Sequence, residues 1–557
     1  MGKLADRILS RRQIENLIAD GKNVIIYDSK VLSVNAWMPY HPGGDKAILH
    51  VVGRDATDEI NCLHSKEAVQ RMQSFVIGRI EGLWDNFKPP IQGGIFRKLG
   101  SGNDEASDST DHELDQPNVP AEISRSPSPS SVSSDDGFLH ESGVRHRGHK
   151  PLSSASSMTS VDDASPIFDP EAITRRKVAE DLAVYPRVDD ATQRKIALKY
   201  RELEKRIEQE GLYECNYWAY GRECLRYSML LAVCIWGLSS GWYMTAAVAL
   251  GCFWHQLVFS AHDAGHIAIT HNYQVDSCIG IFIADFLGGL SIGWWKRNHN
   301  VHHIVTNDPE HDPDIEHLPF FAISHRFFGN LFSTYYERIL PYDAFARVVV
   351  PLQHYLYYPI LCFGRFNLYR LSWEHLILGK GPRKGEAAWH RWLEIVGQVF
   401  FWIWFGYFLV YKTLPTNWDR FVFVMISHVV TMPLHVQITL SHFSMSTADL
   451  GLKESFAQKM LRTSMDVDCP EWLDFFHGGL QFQAIHHLYP RIPRHNLRRT
   501  QKLVIEFCKE VGIPYAIYGF YDGNKEIIGR LEEVAKQARI MAACQASMTQ
   551  KGEYGSF

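Results

Sequence analysis

Three histidine clusters in the second half of the sequence have a spacing that suits metal binding. In HDAGH, HNVHH and QAIHH the polar residues recur every three or four positions, so each cluster would present its imidazoles on one face of a helix. A single pair at this spacing often marks only a polar helix face. Three clusters beside apolar segments predict a functional centre, because ionisable groups near a bilayer are costly. The members are His262, His266, His299, His302, His303, Gln483, His486 and His487.

A second constellation lies near the N-terminus, where His41 in HPGG precedes His64 by 23 residues. Gly43 and Gly44 provide a tight turn without side-chain bulk, which suits a backbone that passes close to a flat macrocycle. Two neutral imidazoles on opposite faces of a haem iron fill both axial positions, so the iron exchanges electrons without binding O2. This pattern predicts an electron-transfer haem with His41 and His64 as ligands. We interpret His50, between them, as a packing or surface residue.

The number of histidines in the three clusters indicates the kind of metal centre. Seven imidazoles exceed the four ligands of a tetrahedral zinc site, which favours two metal ions. Imidazole binds iron as well as zinc, but a haem on the same chain supplies single electrons that zinc cannot accept. The sequence therefore predicts a pair of non-haem iron ions.

Composition limits the classes of protein to which the chain can belong. It has 557 residues, of which 46% are hydrophobic and 21% charged, so we expect at least two folded units. A net charge of -5 and the lack of a recognition motif argue against nucleic-acid binding. Ten cysteines without a C-x-x-C pair predict reduced, packed thiols. The first residues lack the pattern of a signal peptide, so we expect membrane attachment through internal segments.

The elements that must position these histidines fall into four segments. Residues 1–87 are mixed and β-rich in places, and they predict an α+β haem domain. Residues 88–183 are rich in Ser, Asp and Pro, and they predict a disordered linker that tethers the haem domain. Residues 184–523 hold the three clusters and six apolar segments, which predict an all-α polytopic membrane domain. Residues 524–557 predict a C-terminal helical tail.

The membrane topology follows from parity. All metal ligands must reach one site, so an even number of crossings must separate successive clusters. The apolar segments 273–295 and 345–363 should therefore enter the membrane or lie along it without crossing. Basic residues on the cluster side predict that this side is cytosolic. The four segments expected to span the membrane are about 225–240, 242–260, 392–410 and 421–440.

The two constellations together resemble a known family. HPGG with GRDATDEI and a second histidine resembles the cytochrome b5 domain, and the three clusters resemble the histidine boxes of membrane fatty-acyl and sphingolipid desaturases. A glutamine that opens the third box, together with the b5-like domain, resembles the front-end subfamily. The resemblance implies haem b, two non-haem iron ions, O2 as co-substrate and cytochrome b5 reductase as electron donor. It also implies the endoplasmic reticulum membrane, with both termini and the boxes cytosolic.

The resemblance further assigns roles to residues around the boxes. His442, near the end of the last apolar segment, resembles an additional iron ligand. Gln483 stands where other desaturases have a histidine, and it is expected to ligate, to bond a metal-bound water or to shape the substrate channel. His311, Asp312 and Asp314 resemble residues that orient imidazoles through their free N–H groups.

The residues around the third box bear on the substrate class. Many front-end enzymes carry Glu before the last two histidines, whereas Ile485 stands here. The Ser-rich insertion, GLYECNYWAYGRECLRYS and QAIHHLYPRIPRHN look most like the fungal delta-8 sphingolipid desaturases. That resemblance implies insertion of a C=C bond at C8 of the sphingoid base of ceramide or glucosylceramide. The alternatives are a delta-6 or delta-5 fatty-acyl desaturase, a lipid hydroxylase of the same fold, and a non-enzymatic electron donor. The last of these predicts that box histidines are missing, whereas the sequence contains all of them.

Overall fold

The computed structural model describes residues 6–98 and 168–551. Most of the predicted linker lies outside the described residues, but both of its ends are ordered, which corrects the boundaries 88–183. At one end, Phe96 packs on the core of the haem domain. At the other, Pro170–Val184 is a helix whose first turn is capped by the Asp169 carboxylate. An acidic N-cap followed by proline is a strong helix start, and it outweighs the polar composition of the segment.

The N-terminal domain combines a small sheet with short helices, as predicted. Its three antiparallel strands are Val24–Tyr27, Lys30–Ser33 and Val76–Arg79, in the order of the chain. The first two agree to within one residue with the β-rich pieces that the sequence predicts at 23–27 and 30–34. Its helices are Arg11–Ala19, Asp45–Leu49, Thr57–Leu63 and Lys66–Met72.

Residues 168–551 form a helical domain with two short pairings of three-residue strands. The first described helices are Pro170–Val184, Asp190–Gln209, Tyr217–Ser239 and Tyr243–Gly265. Next come Tyr273–Ile281, which continues as a π-helix Phe282–Leu287, then Ile292–Val305, Ala344–Val349, Gln353–Leu361 and Gly364–Leu378. The last are His390–Phe401, continued as Trp402–Thr413, then Asn417–Val429, Met432–Phe443, Phe456–Thr463, Gln483–Leu488, Leu497–Val511 and Phe520–Lys551. The strands are Leu331–Ser333 with Arg338–Leu340, and Asp466–Asp468 with Ile517–Gly519.

Three helical stretches within the described ranges are long and apolar enough to cross a membrane: Tyr243–Gly265, Gly385–Thr413 and Asn417–Phe443. The number becomes four if the pair Tyr273–Leu287 and Ile292–Val305, bent by 117°, is counted as one broken span. This agrees with the predicted number of about four. The predicted span 225–240 is not among them, because its helix begins at Tyr217 and its first turns carry three charged residues.

Two helical hairpins have their turns at the ends of the helices that are remote from the histidine boxes. Exposed Trp236 and Trp242 flank the turn after Tyr217–Ser239, and exposed Tyr411 and Trp418 flank the turn before Asn417–Val429. Tryptophan and tyrosine favour the interface between the membrane and water. Both turns therefore suit one membrane surface, at the opposite ends of these helices from the boxes.

The C-terminal helix, Phe520–Lys551, is part of the helical domain rather than a separate tail. Ile527, Leu531 and Val534 are buried in one cluster with Tyr357 and Val436. The helix begins before residue 524, so the predicted boundary cuts through it. An amphipathic pattern shows that a helix has an apolar face, but the partner of that face is decided by tertiary packing.

Candidate metal and haem sites

Three helices bring the histidine boxes into one layer. The first box ends Tyr243–Gly265, the second lies on Ile292–Val305, which we call the second-box helix, and the third occupies Gln483–Leu488. The first and second boxes approach closely because Gly265 has no side chain: a Cβ there would lie 2.1 Å from the Trp295 ring. Trp295 in turn stacks on His299, with ring centroids 4.5 Å apart. Glycine in HDAGH is therefore needed for packing.

The imidazoles form two groups. Within each group, the nitrogens that could bind a metal all lie within 4.8 Å of one another. His303 lies between the groups, with its ring 4.4 Å from His487 and 5.0 Å from His266. All seven box histidines thus meet, and His442 joins them. The first group is His262, His266, His299 and His486; the second is His302, His442 and His487.

The nitrogen positions fit metal binding. Two imidazoles bound to one ion at about 2.1 Å place their nitrogens about 3.0–3.3 Å apart. The Nε2 atoms of His299 and His303 are 3.1 Å apart, and those of His302 and His487 are 3.2 Å apart. The Nε2 atoms of His262, His266 and His486 are buried without a hydrogen-bond partner. Buried unpaired nitrogens are costly, so their convergence is what a metal site requires.

Carboxylates orient two of these rings. Asp312 Oδ2 accepts a hydrogen bond from His302 Nδ1 at 2.8 Å, and Asp314 Oδ2 lies 3.5 Å from His299 Nδ1. Such contacts fix which ring nitrogen faces the metal. Both aspartates therefore lie where the resemblance implies. Asn307, which sequence reasoning missed, donates its backbone N–H to Asp312 and its side-chain N–H to the His442 carbonyl.

His311 does not contact the clusters, and its implied role in orienting an iron ligand is wrong. Its Nδ1 lies 3.2 Å from Thr334 Oγ1, and its ring faces His50 of the haem domain at 5.3 Å. His50 is fully buried, which agrees with its interpretation as a packing residue. His311 is adjacent to Asp312 in the sequence, but this does not determine where its side chain points. The loop is irregular, and the two neighbouring side chains contact different partners.

A cavity of about 890 Å³ reaches both groups of imidazoles. Gln483 is buried and lines this cavity. Its place in the cavity wall fits the channel-shaping role, one of the three expected for it. Apolar residues of the spanning helices form much of the wall: Trp254, Leu257, Val258, Leu434 and Ile438. The volume is within the usual range for a small-molecule site.

An unpredicted ionic network supports the first box. Arg494, within the QAIHHLYPRIPRHN sequence, donates to the carboxylates of Glu223 and Asp263, and Tyr220 also donates to Asp263. Asp263 is the second residue of HDAGH. Removing one partner of a buried ion pair leaves an uncompensated charge, which typically costs about 3–5 kcal/mol. Local spacing gave no signal for this network, because Arg494 is more than 200 residues from both carboxylates.

The haem ligands predicted from the sequence face each other. The ring centroids of His41 and His64 are 6.0 Å apart, and two imidazoles on one iron at about 2 Å would have centroids about 6 Å apart. Their Nδ1 atoms bond the carbonyls of Gly44 at 2.6 Å and Ile60 at 3.0 Å, which leaves both Nε2 atoms for iron. Burial lowers the pKa of His64 to about 3, so its imidazole is neutral, the form that binds metal. The residues fit a haem.

The haem domain is docked against the second-box helix. A Cβ on Gly43 would lie 2.7 Å from Asn300 Nδ2, and a Cβ on Gly44 would lie 2.9 Å from Arg297 Cγ. The two glycines thus allow the haem turn to rest on the helix that carries HNVHH. Arg491, four residues after the third box, donates to the His64 carbonyl at 2.7 Å. One helix, about 10 Å across, separates the haem turn from the imidazole layer.

This combination defines a class of protein: a membrane oxidoreductase with clustered histidines and a fused haem-type electron carrier. Residues 240–519 match the model of the fatty acid desaturase family, and residues 10–81 match that of the cytochrome b5-like heme/steroid binding domain. The chain belongs to the fatty acid desaturase family.

Several curated fungal proteins are similar to the chain over nearly its whole length, and they share one name, "Delta 8-(E)-sphingolipid desaturase". The protein from Emericella nidulans is 62% identical, over 99% of this chain and 98% of its own length. The protein from Kluyveromyces lactis is 52% identical, over 97% of this chain and 95% of its own length. That from Candida albicans is 50% identical, over 97% of both chains.

Proposed function

We propose that this protein is a delta-8-(E)-sphingolipid desaturase, which inserts a trans C=C bond at C8 of the sphingoid base of a ceramide or glucosylceramide. The near full-length identity of 62% to a curated enzyme of that name carries the proposal. The apolar cavity beside both imidazole groups supports it, because a lipid chain needs such a channel to approach the reacting centre.

We propose that two non-haem iron ions bind between the boxes, held by the seven box histidines and His442. Bound iron would supply the activation of O2, whose reduction to two waters consumes two electrons, two protons and the two hydrogens removed from neighbouring methylenes. Asp312 and Asp314 hold the protons of His302 and His299 on the nitrogens that face away from the metal. Gln483 shapes the wall of the cavity, and the apolar wall excludes water.

We propose that His41 and His64 hold haem b, which would pass single electrons toward the irons. The docked position of the HPGG turn on the second-box helix supports this role. A separate flavin reductase of the cytochrome b5 reductase class would supply the electrons. The site belongs at the cytosolic face of the endoplasmic reticulum membrane, where the haem domain, the reductase and the lipid substrates would meet.

The topology prediction concerns the turn between the last two spanning stretches. A short loop with an Asn-X-Thr acceptor, inserted before Thr416, should be glycosylated in a eukaryotic host because this turn would be lumenal. The same loop inserted beside Lys384, at the other end of Gly385–Thr413, should remain unmodified. A shift in gel mobility reversed by endoglycosidase gives the measurement. The opposite pattern would overturn the cytosolic placement of the boxes.

The substrate prediction is tested in a host that lacks sphingoid and front-end acyl desaturation. We expect a new double bond between C8 and C9 of the sphingoid base, with E geometry, located by mass spectrometry of ozone-cleaved lipids. The fatty acids should remain unchanged. A His262→Ala variant of the same chain serves as the matched inactive control.

Other products would identify the alternatives. New double bonds in fatty acids with unchanged sphingoid bases would reject the sphingolipid assignment in favour of acyl desaturation. A sphingoid base that gains one oxygen and no double bond would indicate hydroxylation, because the same first hydrogen abstraction can end in either product.

A further inference from the structure

The cavity beside the imidazoles contains a polar part that the desaturation chemistry does not use. Residues of the loop after the second-box helix line it, together with residues of the strand Arg338–Leu340. Glu316 and Asn298 both line this cavity and are only 7% and 5% exposed. Buried polar side chains are costly unless they find partners.

Each of these two side chains has one oxygen without a partner. Glu316 Oε2 accepts a hydrogen bond from Ser333 at 2.6 Å, whereas its Oε1 is buried and has none. Asn298 donates its amide N–H to Asp314, which fixes the orientation of the amide, and its Oδ1 is likewise buried without a partner. Two unsatisfied oxygens lining one cavity indicate a ligand that brings hydrogen-bond donors.

Lipid headgroups differ in the donors they offer. A ceramide carries hydroxyls on C1 and C3 and an amide N–H on C2, all beside the chain that is desaturated. A fatty-acyl ester or thioester offers only acceptor oxygens at the corresponding position.

The position of Glu316 suits a double bond close to the headgroup. Seven bonds separate C1 from C8, which corresponds to about 9 Å in an extended chain of ~1.5 Å bonds. Asp314, beside His299, is only two residues before Glu316, so their Cα atoms are at most about 7.6 Å apart. A headgroup held by Glu316 would lie in the cavity that also reaches His299, which suits a double bond close to the headgroup.

We propose that Glu316 Oε1 and Asn298 Oδ1 bind the hydrogen-bond donors of the sphingoid headgroup and so select a sphingolipid over a fatty-acyl ester. This inference rests on the proposed function and identifies residues that would determine its specificity. Glu316 is the better test of the two, because Asn298 adjoins His299 and the Asp314 carboxylate.

The experiment compares substrates that each lack one donor. Purified full-length enzyme with haem and iron is assayed with a cytochrome b5 reductase on ceramide and on its 1-deoxy, 3-deoxy and N-methyl analogues. For the wild type, we expect at least one analogue to lose about 10- to 100-fold in kcat/KM, since a buried polar group is then left unpaired. Glu316→Leu should lose a similar factor on ceramide and should no longer discriminate against that analogue.

Two further variants separate recognition from folding. Glu316→Gln retains the size and a hydrogen-bonding group, so its discrimination should fall between those of wild type and Glu316→Leu. Glu374→Gln, on the neighbouring helix and outside the cavity lining, is the matched control and should behave as wild type. Haem absorbance and bound iron should be unchanged in all three.

The outcomes distinguish the two proposals. If wild type desaturates ceramide and Glu316→Leu keeps wild-type discrimination, or loses activity equally on every substrate, the headgroup inference is wrong and the proposed function stands. If wild type forms no sphingoid product, the proposed function fails and this inference fails with it.

Discussion

Replacing His41 or His64 with alanine should abolish both the low-spin haem spectrum and lipid desaturation. The two imidazoles face each other at 6.0 Å, and both Nδ1 atoms are held by backbone carbonyls, so neither ligand has a substitute nearby. The measurement combines visible absorbance with product formation by purified full-length protein and a cytochrome b5 reductase. Free cytochrome b5 must be absent, because it could replace the fused donor.

The control for this prediction is His50→Gln, which changes the remaining histidine of the same domain. His50 bonds Gln92 and lies near Thr334, so glutamine can retain part of its hydrogen bonding. This variant should keep the haem spectrum and most of the activity, and the haem-ligand variants should keep their non-haem iron. Full activity in His41→Ala or His64→Ala would contradict the role of the fused haem.

The sequence was most informative where chemistry requires a local pattern. The first two strands of the haem domain and most spanning stretches follow from periodicity and hydropathy, which depend on neighbouring residues. The 225–240 segment is not among the most apolar stretches, because its helix extends back to Tyr217 and includes charged residues there. The helix after Asp169 was missed because the composition of a long segment concealed a strong local helix start.

The site itself shows the same division between local and distant information. The box histidines were identified because each cluster repeats on one helix face, but the pairing of His302 with His442 and His487 depends on packing between distant helices. The role of His311 was wrong because a loop has no period from which direction can be inferred. Arg494 and Asn307 have no local signature, since they act through partners far away in the chain.

The glycines of HPGG illustrate how one motif can serve two requirements. Their small size suits a haem turn, which the sequence alone indicated. In the structure the same two positions also contact Arg297 and Asn300 of the second-box helix. The contact surfaces therefore determine which face of the haem domain meets the second-box helix, which covalent fusion alone would leave open.

Removing a box histidine should have a larger effect than removing a carboxylate that only orients one. Purified protein should hold about two iron ions besides haem iron, and His303→Ala or His487→Ala should lose product formation and bound iron together. His303 lies between the two groups, so its loss affects both. Asp312→Asn keeps every proposed ligand and weakens the orientation of His302, so it should reduce activity by about 10- to 100-fold.

The matched control for the metal prediction is His255→Gln. His255 is buried two turns before His262 on the same helix, but its ring packs on Phe476 and Phe259 and belongs to neither imidazole group. This variant should keep both irons and activity, since it removes a buried imidazole without removing a ligand. Elemental analysis by mass spectrometry, alongside the desaturation assay, measures both quantities. Stoichiometric zinc in an active preparation, or full activity in His303→Ala, would overturn the di-iron proposal, because neither result is compatible with O2 activation by iron at this layer.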